Sequence, residues 1–259
     1  MTIEHQIRFV ACCGLAVALS GCTRVQDAFS EKPRVGVVAL FDTSASTNQE
    51  ALRKRYGKEF IELVDKASPQ GLTARADVIR ATPLADTVFP LHIDLPRASV
   101  NRNNITQEEL LTSAKKSADE GLSRLFSENV PTQNSRILDA IEVTSRLFNG
   151  AEMREMIDRR LVVFSDMIES SERYEFTRGV IRRDKIASMI EKEKTSGRIP
   201  TLKGVRVWVA GAGSGGGTAL SSDQLRGIEQ FWLEYFRATG ADLAPSQYGA
   251  SLLNFDVPK

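Results

Sequence analysis

The hydrophobic positions of this chain follow two rhythms. Residues 34–42, "RVGVVALFD", form a nearly unbroken apolar run, and so do "RLVVFSDM" at 160–167 and "VRVWVAGAG" at 205–213. Such runs, rich in Val and Phe, predict strands covered on both faces. Two shorter β-rich stretches bounded by proline, "ARADVIRATP" (74–83) and "VFPLHIDLP" (88–96), predict the second and third strands, and "ASLLNFDV" (250–257) a sixth. Between these runs the apolar residues recur every three or four positions. Leu52, Tyr56, Phe60, Leu63 and Val64 predict a helix over 48–67. Leu110, Leu111, Ala114, Ala118, Leu122 and Leu125 predict one over 106–126, and Ile137, Leu138, Ile141, Leu147 and Phe148 one over 135–148. A last helix is expected over 222–238, with Phe231, Trp232, Tyr235 and Phe236 as packing residues. The charged stretch "RRDKIASMIEKEK" (182–194) reads as a solvated helix face.

Strands alternating with helices imply an α/β fold with a mainly parallel sheet, and in such sheets ligands are met just outside the carboxyl ends of the strands. Two strands end there in acids. The first runs into Asp42, followed at two-residue steps by Ser44 and Ser46, and the fourth runs into Asp166.

Composition narrows the chemistry. The 259 residues carry a formal net charge of +1, with the basic residues dispersed, which argues against a nucleic-acid protein. With His5 and His92 the only two histidines, a zinc site or a histidine-based triad is disfavoured. The three cysteines, Cys12, Cys13 and Cys22, are all near the N-terminus, and no stretch after residue 22 is apolar and long enough to span a membrane.

That N-terminus reads as an address. A weakly charged start is followed by "FVACCGLAVAL" (9–19), an apolar segment of signal-peptide length. Leu19-Ser20-Gly21-Cys22 resembles the lipobox of bacterial lipoproteins. The resemblance implies a signal peptide over 1–21, cleavage before Cys22, and lipid on its sulfur and nitrogen, enough to hold a protein on a bilayer. Residues 23–33 then form a polar tether of at most about 35 Å, and 34–259 the folded domain. The resemblance places the protein in the bacterial envelope on the periplasmic side. Thr23, standing where Asp would be the retention signal, points to the outer membrane under enterobacteria-like sorting.

Asp42-Thr43-Ser44-Ala45-Ser46 matches the Asp-x-Ser-x-Ser motif of von Willebrand factor A (vWA) domains. In that family it ends the first strand and opens a metal-ion-dependent adhesion site (MIDAS). Ser135-Arg136-Ile137-Leu138-Asp139-Ala140-Ile141 is similar to the family's second element, with Ser in place of Thr; Thr132 competes for the same role. Asp166 in "VVFSDM" stands where the family has its third element. The resemblance covers roughly 34–256 and implies a doubly wound, mainly parallel sheet flanked by helices. It also implies Mg²⁺ or Mn²⁺ held by Asp42, Ser44, Ser46, Ser135 and Asp166, and a protein partner that completes the metal shell with an Asp or Glu carboxylate. The chemistry agrees, because a hard cation takes oxygen ligands and a shell with few anionic donors stays electrophilic.

Four alternatives bear on function. Gly211-Ala212-Gly213-Ser214-Gly215-Gly216 matches G-x-G-x-x-G, but the next helix does not begin within the glycines and no lysine follows them. It is therefore read as a flexible loop without a nucleotide. Asp42 with Ser44 lacks the second acid of a haloacid-dehalogenase phosphatase. A metal-dependent hydrolase using the Asp42/Asp166 pair, or a metal-free structural lipoprotein, remain the rivals of the expected non-enzymatic binding module.

Overall fold

A computed structural model describes residues 34–80, 89–98, 104–129, 131–215, 219–252 and 255. The expected signal peptide, Cys22 and the tether lie outside the described residues. Six strands form one sheet in the order β3-β2-β1-β4-β5-β6. They are β1 (Val35–Asp42), β2 (Leu72–Ile79), β3 (Leu91–Leu95), β4 (Asp158–Phe164), β5 (Val205–Ala210) and β6 (Tyr248–Gly249). All neighbours pair in parallel except β2 and β3, which are antiparallel.

The helices are α1 (Glu50–Ala67), α2 (Asn104–Glu128), α3 (Ile137–Asn149), the one-turn α4 (Ala151–Arg154), α5 (Arg183–Thr195) and α6 (Ser222–Thr239). The apolar stripe of α1 packs with α2 against one sheet face, around Val37, Phe41, Val162, Phe164 and Trp208. Helices α3, α5 and α6 cover the other face, around Val38, Leu40, Leu161, Val163 and Val207. Every residue of β1 is buried, as its unbroken apolar run requires. Edge strand β3 instead alternates, with His92 and Asp94 outward. Helix α6 starts at a capping box in which Ser221 Oγ accepts from the Gln224 amide at 3.2 Å and Gln224 Oε1 accepts from the Ser221 amide at 2.9 Å. Among the described residues no helix is long and apolar enough to cross a membrane.

The expected doubly wound, mainly parallel sheet flanked by helices is the architecture observed. Boundaries shift at several elements, with β3 and β4 covering 91–95 and 158–164 in place of 88–96 and 160–167. Strand β2 starts at Leu72, two residues earlier than the apolar pattern predicts. The sixth strand is Tyr248–Gly249, ahead of the predicted 250–257, part of which lies outside the described residues. The chain leaves the sheet after Gly249: Leu252 donates its amide to Glu59 Oε2 at 3.1 Å, and Phe255 packs on Trp208 with ring centroids 5.0 Å apart.

Candidate metal centre

Strand β1 lies between β2 and β4: the chain leaves β1 toward the β2 edge and later crosses from β3 back to β4 on the other side of β1. The carboxyl ends of β1 and β4 thus flank a topological switch point, where a crevice forms in open α/β sheets. Asp42 is the last residue of β1 and Asp166 follows β4 by two residues.

The loop after β1 folds back on Asp42. The Ser44 amide donates to Asp42 Oδ1 at 2.8 Å, closing a side-chain turn of the kind Asp favours. Ser44 Oγ lies 3.1 Å from Ser46 Oγ and 3.3 Å from Thr47 Oγ1, and Thr47 Oγ1 donates to the Asp42 carbonyl at 3.0 Å. Two further hydroxyls converge on Asp42 Oδ2: Ser135 Oγ donates at 3.0 Å and Ser165 Oγ at 2.7 Å. Between Ser135 and Thr132, it is Ser135 whose hydroxyl reaches Asp42. The Thr132 hydroxyl donates to the Asn134 carbonyl at 2.8 Å, and its own carbonyl receives the Ala45 amide at 2.8 Å. Asp42, Ser44, Ser46 and Ser135 therefore share one cluster, with Ser46 half-buried at its rim.

Asp166 is only 1% exposed. Its Oδ1 accepts from the Ile168 amide at 3.0 Å, whereas Oδ2 has no hydrogen-bond partner among the described residues. Burial, and then the negative charge of Asp42, push its carboxyl up to about 7, against the opposing effect of the Ser46 hydroxyl and the Ile168 amide. The turn that follows is locked. Met167 has φ 65°, a left-handed conformation uncommon outside glycine. Its amide donates to Ser165 Oγ at 2.9 Å, and its carbonyl accepts from the Trp232 indole at 2.8 Å. Across the crevice the glycine loop lies directly over the acid, since a Cβ on Gly215 would sit 2.3 Å from Asp166 Oδ2.

These residues fit a hard divalent cation. The donors are two carboxylates and a set of hydroxyls, and among the described residues no group of three or more His, Cys, Asp or Glu forms a softer or more anionic alternative. The Asp166 Oδ2 atom, buried and without a hydrogen-bond partner among the described residues, is an oxygen such a cation could take. Pattern reading missed Ser165, although a hydroxyl next to a strand-ending acid was its visible signal. It also placed Tyr56 in the core stripe alone, whereas the Tyr56 ring leads from that stripe to the glycine loop.

No protein-family model matches the chain, and no curated protein matches it significantly. Among solved structures, the chain is similar to the conserved hypothetical protein BatB from Bacteroides thetaiotaomicron, at 17% identity over 68% of this chain and 65% of that one, TM-score 0.38. Proximal thread matrix protein 1 from the mussel byssus, with a zinc-occupied MIDAS motif, is 14% identical over 77% of this chain and 42% of that one, TM-score 0.41. A von Willebrand factor type A protein from Catenulispora acidiphila is 12% identical over 82% and 44% of the two chains, TM-score 0.34. The chain thus spans less than two thirds of each of these proteins, and at such identities and TM-scores the likeness assigns neither family nor function.

Proposed function

We propose that this protein is a lipid-anchored binding module of the bacterial envelope that takes a protein partner through a divalent cation, Mg²⁺ or Mn²⁺. The observation that supports it best is the pair of buried carboxylates, Asp42 and Asp166, at one switch point, with Asp166 Oδ2 unpaired among hydroxyls. Asp42, Ser44, Ser46, Ser135 and Asp166 would hold the ion. When bound, it supplies a positive centre able to accept a carboxylate oxygen of the partner. The residues do the rest: Ser135 and Ser165 fix the Asp42 carboxylate by hydrogen bonds, and the Ile168 amide fixes Asp166. Binding rather than catalysis is favoured because Ser44 stands where a phosphoryl-transfer site needs a second acid. Cys22 would carry the lipid and hold the domain on the periplasmic side of its membrane, with Thr23 pointing to the outer one.

A ligand that binds only the folded state at a hundredfold excess over Kd stabilises it by about 2.7 kcal/mol, or roughly 5–11 °C in a domain of this size. Mg²⁺ or Mn²⁺ should raise the melting temperature by that order, EDTA should reverse it, and Asp166→Ala should abolish both the increment and partner capture. Equal melting temperatures in Mg²⁺, Mn²⁺ and EDTA would refute the metal reading. The anchor is tested separately: intact-mass analysis finding residues 1–21 attached to an unmodified Cys22 would refute it.

A further inference from the structure

A second buried polar group faces this centre. Tyr56 is 0% exposed, its ring tilted against Phe164 with centroids 5.3 Å apart. Its hydroxyl closes no well-formed hydrogen bond among the described residues, although the Ser214 hydroxyl of the glycine loop stands beside it. A buried hydroxyl without a well-formed hydrogen bond is destabilising, and a phenylalanine would fill the same helical stripe without that cost. The hydroxyl end points at the glycine loop. A Cβ on Gly211 would lie 2.0 Å from the Tyr56 oxygen and 2.9 Å from the carbonyl oxygen of Ser165, the residue before Asp166. Burial, followed by the charges of Asp42 and Asp166, raises the phenol above its ordinary value, so both carboxylates act on it. The unpaired atom Asp166 Oδ2 lies under Gly215 of the same loop. A buried donor and a buried acceptor therefore sit beneath one loop without serving each other.

We propose that Tyr56 is a positioning residue of the metal centre: its hydroxyl would donate a hydrogen bond into the shell of the cation that Asp42 and Asp166 would hold. The glycines at 211 and 215 leave room for these two polar atoms, which a side chain at either position would displace. The inference rests on the metal reading above and adds to it a group from α1 that the motif does not contain. Groups that orient a metal's shell without ligating it typically contribute ten- to hundredfold in affinity.

The test is isothermal titration of Mg²⁺ and of Mn²⁺ into the full chain and its Tyr56→Phe variant, with melting temperatures in EDTA beside it. Metal affinity should fall about 10- to 100-fold, while the metal-free variant melts no lower than the wild type, having lost only a hydroxyl without a well-formed hydrogen bond. Equal affinities would overturn the inference and leave Tyr56 as packing, with the metal reading intact. A wild type that binds neither ion would overturn both.

Discussion

Ser165 Oγ donates to Asp42 Oδ2 at 2.7 Å, so the carboxylate that ends β1 is held by the residue that follows β4. The same oxygen accepts from the Met167 amide at 2.9 Å and so also pins the left-handed turn behind Asp166. One hydroxyl thereby sets the relative position of the two acids.

Ser165→Ala should remove both bonds and leave the Met167 amide without its acceptor. The expected loss is about 1–3 kcal/mol, read as a lower urea midpoint with an unchanged slope. An unchanged midpoint would show that the strand ends hold their register without this hydroxyl.

Acidity gives a second prediction. Asp166 and Glu169 are both pushed up to about 7, from 3.8 and 4.5, with burial the leading cause at each. Between about pH 4 and pH 7 the folded chain keeps protons that the unfolded chain has released. The metal-free domain should therefore lose stability as pH rises through that window and level off above it. In EDTA, melting at pH 5 should exceed melting at pH 8, and Asp166→Asn should shrink the difference to the share that Glu169 contributes. Because Mg²⁺ competes with the Asp166 proton, its stabilising increment should be larger at pH 8 than at pH 5. The opposite order in either comparison would contradict the buried-pair account.

Gly215→Ala places a Cβ 2.3 Å from Asp166 Oδ2 and 3.1 Å from its Cγ. Either the loop lifts or the carboxylate turns. Both would weaken a metal shell, so titration should give a Kd at least several-fold higher for Mg²⁺, with urea unfolding in EDTA lowered by about 1 kcal/mol, the centre of the range for single substitutions. Identical Mg²⁺ affinity would mean that this loop lies clear of the site in solution.

Arg173 carries a different load. Its guanidinium bonds Asp139 and Glu142 on α3 and, at 2.9 Å, Glu193 on α5. Glu193 is fully buried. Arg173→Ala takes a partner from Glu142, while Asp139 keeps Arg136 and Glu193 keeps Arg198 and the Tyr174 hydroxyl, so the expected loss is about 1–3 kcal/mol, short of that for a fully stranded buried charge. Arg173→Lys should recover only part of this, since one ammonium does not reproduce the planar fork. Chemical unfolding measures both. A loss below about 1 kcal/mol, the range of exposed pairs, would place the network in solvent.

Much of this was legible in the chain because periodicity and burial obey the same geometry. Leu52, Tyr56, Phe60, Leu63 and Val64, spaced helically, are all buried on α1. The runs that read as two-sided strands became β1, β4 and β5. Asp42, Ser44, Ser46, Ser135 and Asp166 were legible as a set through the family resemblance, and the fold brings them to one crevice. What was hidden is nonlocal. The bond from Ser135 to Asp42 spans 93 residues and that from Ser165 spans 123, so no window of sequence contains either. The Arg173 network likewise draws on α3 and α5 at once. Tyr56 was disguised by its own stripe, since an aromatic ring at a core position says nothing about where its hydroxyl ends. Strand β6 was misplaced because a two-residue strand is too short to show a period.

The indole of Trp232 reaches from the middle of α6 to the carbonyl of Met167, one residue past Asp166, at 2.8 Å. It is a mechanical link. Sliding the last helix along its axis must either snap that bond or drag the turn behind it, and the turn carries the acid.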